Sequence, residues 1–252
     1  MHSNWRDIVS QHTLLIHSSC TLRCTHCKLW KTNPLPEETF VPSHIGHLLA
    51  DGTFFDRYPR TRLYNIIGGE PLIGTDILPL LHLLKSAGIY TRVWTHGIVP
   101  IDHWHEIYPW INEVALYLPA PDRTEYRTIT GTDGFDRIPE IIKDLRRNGI
   151  RVSLNAMMTP LMVEWLPYFH DIARDHRIPM TVTYYANGDF TTSEKDYIHR
   201  YNWVSGTIVF KLLKRHKHSC PGVPHMALQS PIEMARLYGK QVSDDIRKMM
   251  GL

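Results

Sequence analysis

The sequence predicts an α/β protein whose parallel strands are joined by right-handed crossover helices. Three observations carry this. Six short apolar runs of strand length recur along the chain, helical periodicities fill intervals between them, and glycine recurs where strands and helices must stop. With 252 residues, 43% hydrophobic and 21% charged, the chain can bury one large core without disulfide support.

The first strand is Leu14-Leu15-Ile16, which ends at His17-Ser18-Ser19 and hands over to a loop carrying three cysteines. The second is Arg62 to Ile67, stopped by Gly68-Gly69. A helix over Asp76 to Ala87 follows, with Ile77, Leu80, Leu81 and Leu84 on one face and Gly88 as its cap. Tyr90 to Thr95 is the third strand, halted at Gly97, and a His- and Trp-rich stretch from Ile101 to Tyr108 is helical. Glu113 to Leu118 is the fourth strand. Phe135 to Asn148 places Ile138, Ile141, Ile142 and Leu145 on one helical face before Gly149. Arg151 to Met157, a helix over Val163 to His176, and Met180 to Tyr185 complete six strand-helix repeats. Beyond the loop at Ala186 to Asp189, Trp203 to Lys214 and Ser230 to Met250 read as helices. The basic run Lys211 to His218 reads as a solvated helix face rather than an anion-binding patch.

Charge excludes some function classes. Lys and Arg exceed Asp and Glu by 28 − 25 = 3, which gives no argument for a nucleic-acid or membrane-surface protein. No run of about 18 apolar residues suggests a membrane span, and Met1-His2-Ser3-Asn4-Trp5-Arg6 lacks the apolar core of a signal peptide. A cytoplasmic, oxygen-sensitive protein is expected.

Of the four cysteines, Cys20, Cys24 and Cys27 form C-x3-C-x2-C on the loop after the first strand, and Cys220 stands far away. Three thiolates on one tight loop can hold three irons of a [4Fe-4S] cube and leave the fourth iron open. A zinc site completed by a histidine is the alternative. Gly68-Gly69-Glu70-Pro71 ends the second strand, where glycine lets a ligand approach the backbone and a carboxylate can receive an ammonium group. Thr95-His96-Gly97 ends the third.

On these motifs the chain resembles the radical S-adenosylmethionine (SAM) superfamily, in the branch containing the molybdenum-cofactor enzyme MoaA and the SPASM maturases. The resemblance implies cofactors, a [4Fe-4S] cluster on Cys20, Cys24 and Cys27 and SAM chelated to the open iron. It implies that His26, before the last cysteine, lies beside the adenine, and that Gly68, Gly69 and Glu70 hold the SAM amino group. Thr95 matches the family's Thr-Asn-Gly, with His96 in place of Asn. Arg127, in Tyr126-Arg127-Thr128-Ile129-Thr130-Gly131, matches an arginine that contacts the SAM carboxylate. Ser153 and Asn155 match a SAM-facing pair on the fifth strand, and Tyr117 stands where the branch usually has Ser.

The resemblance covers about residues 12 to 185 and implies a partial (β/α)6 TIM-type barrel with a short C-terminal helical extension. Residues 1–190 would form the barrel and 191–252 the extension packing on it, with the active site at the C-terminal ends of the strands. The implied activity is reductive SAM cleavage and hydrogen abstraction from a small polar or peptide substrate, with electrons from a flavodoxin- or ferredoxin-type donor. Tyr64, Trp94, Trp110, Tyr184 and Tyr185 are candidates to shape the pocket.

Cys220 alone cannot hold an auxiliary cluster, and the cysteine trio and terminal Gly-Gly of MoaA are missing. Cys220 is a buried small residue, a ligand or redox partner, or a thiol hydrogen-atom donor as in radical SAM epimerases. A non-catalytic iron-sulfur or SAM-binding redox protein is the rival reading, but it would have no use for Gly68-Gly69-Glu70 and Thr95.

Overall fold

The computed structural model describes residues 11–16, 19–27, 43–73, 77–185, 191–194, 208–213 and 225–228. It divides into two compact units, Met1–Met157 with Glu164–Met180, and Met158–Val163 with Thr181–Leu252. Among the described residues no helix is long and apolar enough to cross a membrane.

The first unit is built on β1 (Gln11–Leu15), β2 (Leu63–Ile67), β3 (Tyr90–Thr95), β4 (Glu113–Tyr117) and β5 (Arg151–Met158). Each pairs in parallel with the next in chain order, as strand-helix alternation requires. Seven helices are described: α1 (Ser43–Ala50), α2 (Phe54–Arg57), α3 (Leu78–Ser86), α4 (Ile101–Ile107), α5 (Arg123–Thr130), α6 (Ile138–Arg147) and α7 (Leu166–Asp175). The fold class is α/β, as predicted.

Register divides the sheet into two faces. Tyr64, Val93, Leu116 and Leu154 are fully buried toward the helices. Asn65, Arg92, Trp94, Glu113, Tyr117, Ser153 and Asn155 share the other face, because Asn65 pairs with Arg92, Arg92 with Glu113, and Tyr117 with Asn155. On α6 the predicted stripe Ile138, Ile141, Ile142 and Leu145 is buried, each side chain contributing about 2 kcal/mol of hydrophobic stabilisation. Its first predicted turn is a 3-10 turn at Phe135–Arg137, since Pro139 at the helix start provides no amide hydrogen. The helix α5 begins with Asp122 accepting from the Glu125 amide at 2.9 Å and ends at Gly131 in the left-handed region.

In the second unit β6 (Met180–Tyr185) pairs in parallel with β7 (Ile208–Leu213), which pairs antiparallel with β8 (His225–Leu228). This corrects the helix expected over Trp203 to Lys214 and the helical setting of Lys211 in the basic run: residues 208–213 form a strand. The six-residue run Ile208 to Leu213 opens with β-branched and aromatic residues, and periodicity over so short a run does not separate strand from helix until a partner strand is in place. Cys220 and the helix expected over Ser230 to Met250 lie outside the described residues.

Candidate active site

The cysteine loop is held by backbone bonds, so its shape does not depend on the thiols. Ile16 N donates to Ile67 O at 2.9 Å as β1 ends, and Glu70 N donates to Ser19 O at 2.8 Å. Arg23 N donates to Thr130 O at 3.0 Å and Thr25 N to Ile129 O at 2.9 Å, fastening the loop to the end of α5. Cys27 N donates to Cys24 O at 3.0 Å and closes the last turn, while the Arg23 guanidinium donates to Cys20 O. Leu22 and Cys24 are buried beneath the loop.

All three loop cysteines are free thiols. Burial pushes the Cys20 and Cys24 thiols up to about 12, with the charge of Glu70 adding to the rise at Cys20 and those of Cys20 and Cys27 at Cys24. A positive charge beside Cys20 and Cys24 would offset that rise. Among the described residues no three His, Cys, Asp or Glu side chains close on a single metal ion. A cube takes its cysteines one per iron, and three cysteines on one loop supply that donor set.

Glu70 is fully buried beside this loop. Its Oε1 accepts from Leu72 N at 3.0 Å and from the Thr95 hydroxyl at 2.7 Å. Its Oε2 accepts from His96 N at 2.9 Å and lies 3.2 Å from His96 Nε2. His96 Nδ1 accepts from Ile98 N at 2.9 Å, which assigns the ring proton to Nε2. That nitrogen is also 3.1 Å from the Thr21 hydroxyl, next to Cys20. The carboxylate thus ties the ends of β2 and β3 together, and His96 extends the tie to the cysteine loop. The sequence shows a histidine in place of Asn, but not this bridge.

Gly97 follows at φ +78°, where a Cβ would sit 2.8 Å from Leu116 Cδ1 and 3.2 Å from Ile141 Cδ1. Its N–H donates to the Thr95 hydroxyl at 2.9 Å. Gly97→Ala is expected to lose about 2 kcal/mol or more, from the backbone strain and overpacking together. A thermal melt of the apoprotein checks this, and an unchanged Tm would contradict it.

His26 meets the end of β4. Its Nε2 lies 2.7 Å from the Tyr117 hydroxyl, with ring centroids 6.3 Å apart at 71°. Burial and the neighbouring Cys24 and Cys27 hold the Tyr117 phenol well above its ordinary range. Asn155 is buried beside Tyr117 in the adjoining strand. Ser153, two residues deeper, is 3.4 Å from Glu113 Oε1. Glu113 also accepts from Tyr90 and Arg92 at 3.0 Å each.

The geometry does not bring every expected residue to this cluster. Arg127 lies in the last turn of α5, its side chain 72% exposed and 3.7 Å from Asp133. Tyr64 and Trp110, expected to shape a pocket, are structural instead. Tyr64 is fully buried among His12 and Phe54 and donates to Pro59 O at 2.8 Å. Trp110 packs on His82 at 3.8 Å between centroids. Trp94 faces the inner side and donates to Asn65 Oδ1 at 3.2 Å. The side chains of Tyr184 and Tyr185 lie outside the description.

A sequence model of the radical SAM superfamily matches residues 14–165. A probable GTP 3',8-cyclase of Sulfurisphaera tokodaii is 30% identical over 157 residues, 61% of this chain and 48% of that protein. The GTP 3',8-cyclase of Rhizobium etli is 27% identical over 143 residues, 55% of this chain and 40% of the relative. The chain therefore spans less than half the length of these two curated relatives. Among solved structures, Streptococcus suis SuiB bound to S-adenosylmethionine is similar with a TM-score of 0.56 at 17% identity, covering 82% of this chain and 48% of SuiB. A radical SAM methyltransferase from Sphaerobacter thermophilus has a TM-score of 0.56 at 14% identity, covering 81% of this chain and 67% of that one. These likenesses are of fold, the partial TIM barrel.

Proposed function

Because this chain belongs to the radical SAM superfamily, and is an enzyme whose cofactors are a [4Fe-4S] cluster and SAM, we propose that Cys20, Cys24 and Cys27 hold that cluster and that the enzyme abstracts hydrogen from a small polar or peptide substrate. The observation that carries the reading is the convergence at the C-terminal ends of β1 to β4. There the cysteine loop is bonded to Glu70, Glu70 to Thr95 and His96, and His26 to Tyr117. Free thiols on a backbone-fixed loop are a donor set that fits an iron cluster. The chemistry supplied by the bound cofactors is reductive cleavage of SAM and removal of a hydrogen atom from a substrate C–H bond.

The chain's own residues place the reactants. Gly68 and Gly69 admit the SAM amino end to the backbone, and Glu70 locks that segment with its four donors. Thr95 joins this end of the site, while the His26 ring offers a face to the adenine. Ser153, Asn155 and Arg127 complete the proposed SAM contacts, Arg127 from an exposed position beside Asp133. Electrons would come from a flavodoxin- or ferredoxin-type donor. SuiB has been solved with its precursor peptide, and the matched relatives are GTP 3',8-cyclases, so GTP and short peptides are the first substrates to offer.

Anaerobic reconstitution tests the reading. About four irons per chain are expected, with 5′-deoxyadenosine formed when SAM and dithionite are added. Zinc bound in place of iron after strictly anaerobic handling would overturn it.

A further inference from the structure

We propose that Tyr117 is a positioning residue for SAM, one that orients the His26 ring from the end of β4. The inference rests on the cluster and SAM assignment above and adds to it a residue at a position where a hydroxyl on a short side chain is the usual occupant.

The loop around His26 is anchored on both sides of the histidine. Upstream, the amides of Arg23 and Thr25 are bonded to the end of α5. Downstream, the turn closes on itself through Cys27 N and Cys24 O, and the His26 side chain is bonded to the sheet through the Tyr117 hydroxyl at 2.7 Å. That hydroxyl comes from a rigid place. Tyr117 is the last residue of β4, paired in register with Asn155, and the next amide, Leu118 N, donates to Asn155 O at 2.9 Å. A ring held by a strand end inherits the strand's small motions, and a preorganised ring loses less freedom when a ligand stacks on it.

The bond also determines what His26 can offer. With Nε2 bonded to the phenol, that nitrogen is engaged, and the ring meets a ligand with its face. The two rings stand edge to face at 71°, so Tyr117 braces the histidine without covering it in a stack. A serine at position 117 would carry its hydroxyl on the β-carbon, several ångströms short of where the phenol places it. The tyrosine therefore matches the histidine in this chain, and a serine could not replace it in this role.

The test is a double-mutant cycle on the reconstituted full chain, reading iron content and the dissociation constant for SAM on the oxidised cluster, where no cleavage intervenes. Tyr117→Phe is expected to keep about four irons per chain and to weaken SAM binding about threefold to tenfold, the range set by one net hydrogen bond. Tyr117→Ser is expected to weaken it at least as much. In a His26→Phe background the Tyr117→Phe change should have no further effect, because the partner it orients is gone. Unchanged affinity in Tyr117→Phe, an equal loss with and without His26, or loss of iron would each overturn the positioning role while leaving the superfamily chemistry intact. A wild-type protein that binds iron but no SAM would overturn the SAM assignment and this inference with it.

Discussion

Cys24→Ala is expected to leave the first unit folded and the cluster unassembled. The loop's shape comes from backbone bonds of Arg23, Thr25 and Cys27 to partners that an alanine does not disturb, although Cys27 N bonds to the carbonyl of residue 24 itself. Removing one small buried side chain costs about 1 kcal/mol, which a melt of the apoprotein will show as a shift of a few degrees. Iron content, by contrast, should collapse, and 5′-deoxyadenosine formation with it. A cysteine with a merely structural role gives the reverse pattern, a lower Tm with iron retained. Cys24 is the decisive position because it is the buried member of the trio, the one that looks most like an ordinary core residue. The two half-buried cysteines invite a functional explanation already.

Glu70→Gln is the second large effect, and it separates two ways in which a carboxylate can serve a SAM site. Each oxygen of Glu70 faces two protein donors: Leu72 N and the Thr95 hydroxyl on one, His96 N and His96 Nε2 on the other. An amide has one acceptor oxygen, so in either orientation its NH2 faces a backbone N–H that cannot turn away. A buried donor left without an acceptor costs about 1 to 3 kcal/mol, and a loss of roughly 2 to 4 kcal/mol is expected for the site as a whole. Urea unfolding of the apoprotein measures it. If stability is unchanged and SAM affinity alone falls, the carboxylate meets the SAM ammonium directly and the locking role assigned to Glu70 is wrong. A stability loss in the absence of SAM supports the lock.

Much of the first unit is legible in the sequence because its signals are short-range. The α6 stripe repeats at helical spacing and ends at Gly149, whose φ of +75° needs a glycine. Strands β2 to β5 are apolar or alternating runs closed by turn residues. The helix α5 has signals too, an Asp122 cap with Glu125 three residues on and Gly131 behind it. Its mixed composition gives no apolar run to attract attention, so nothing local shows that Arg127 occupies the last turn of a helix. The strand at Ile208–Leu213 is misread as helix for a related reason: its identity depends on pairing with β6.

The sequence by itself determined the α/β class, the order of the strands, the cysteine trio and the Gly-Gly-Glu turn, all of which lie in contiguous residues whose spacing and side-chain chemistry carry the signal. Tertiary structure alone decided what each of those groups touches. Glu70 and Thr95 are 25 residues apart, His96 and Thr21 are 75, and His26 and Tyr117 are 91. No local periodicity reports such partners, since they become neighbours when parallel pairing brings the ends of successive strands to one edge of the sheet. That pairing turns a possible SAM carboxylate into a buried lock, and a tyrosine in an unexpected place into a brace for a histidine.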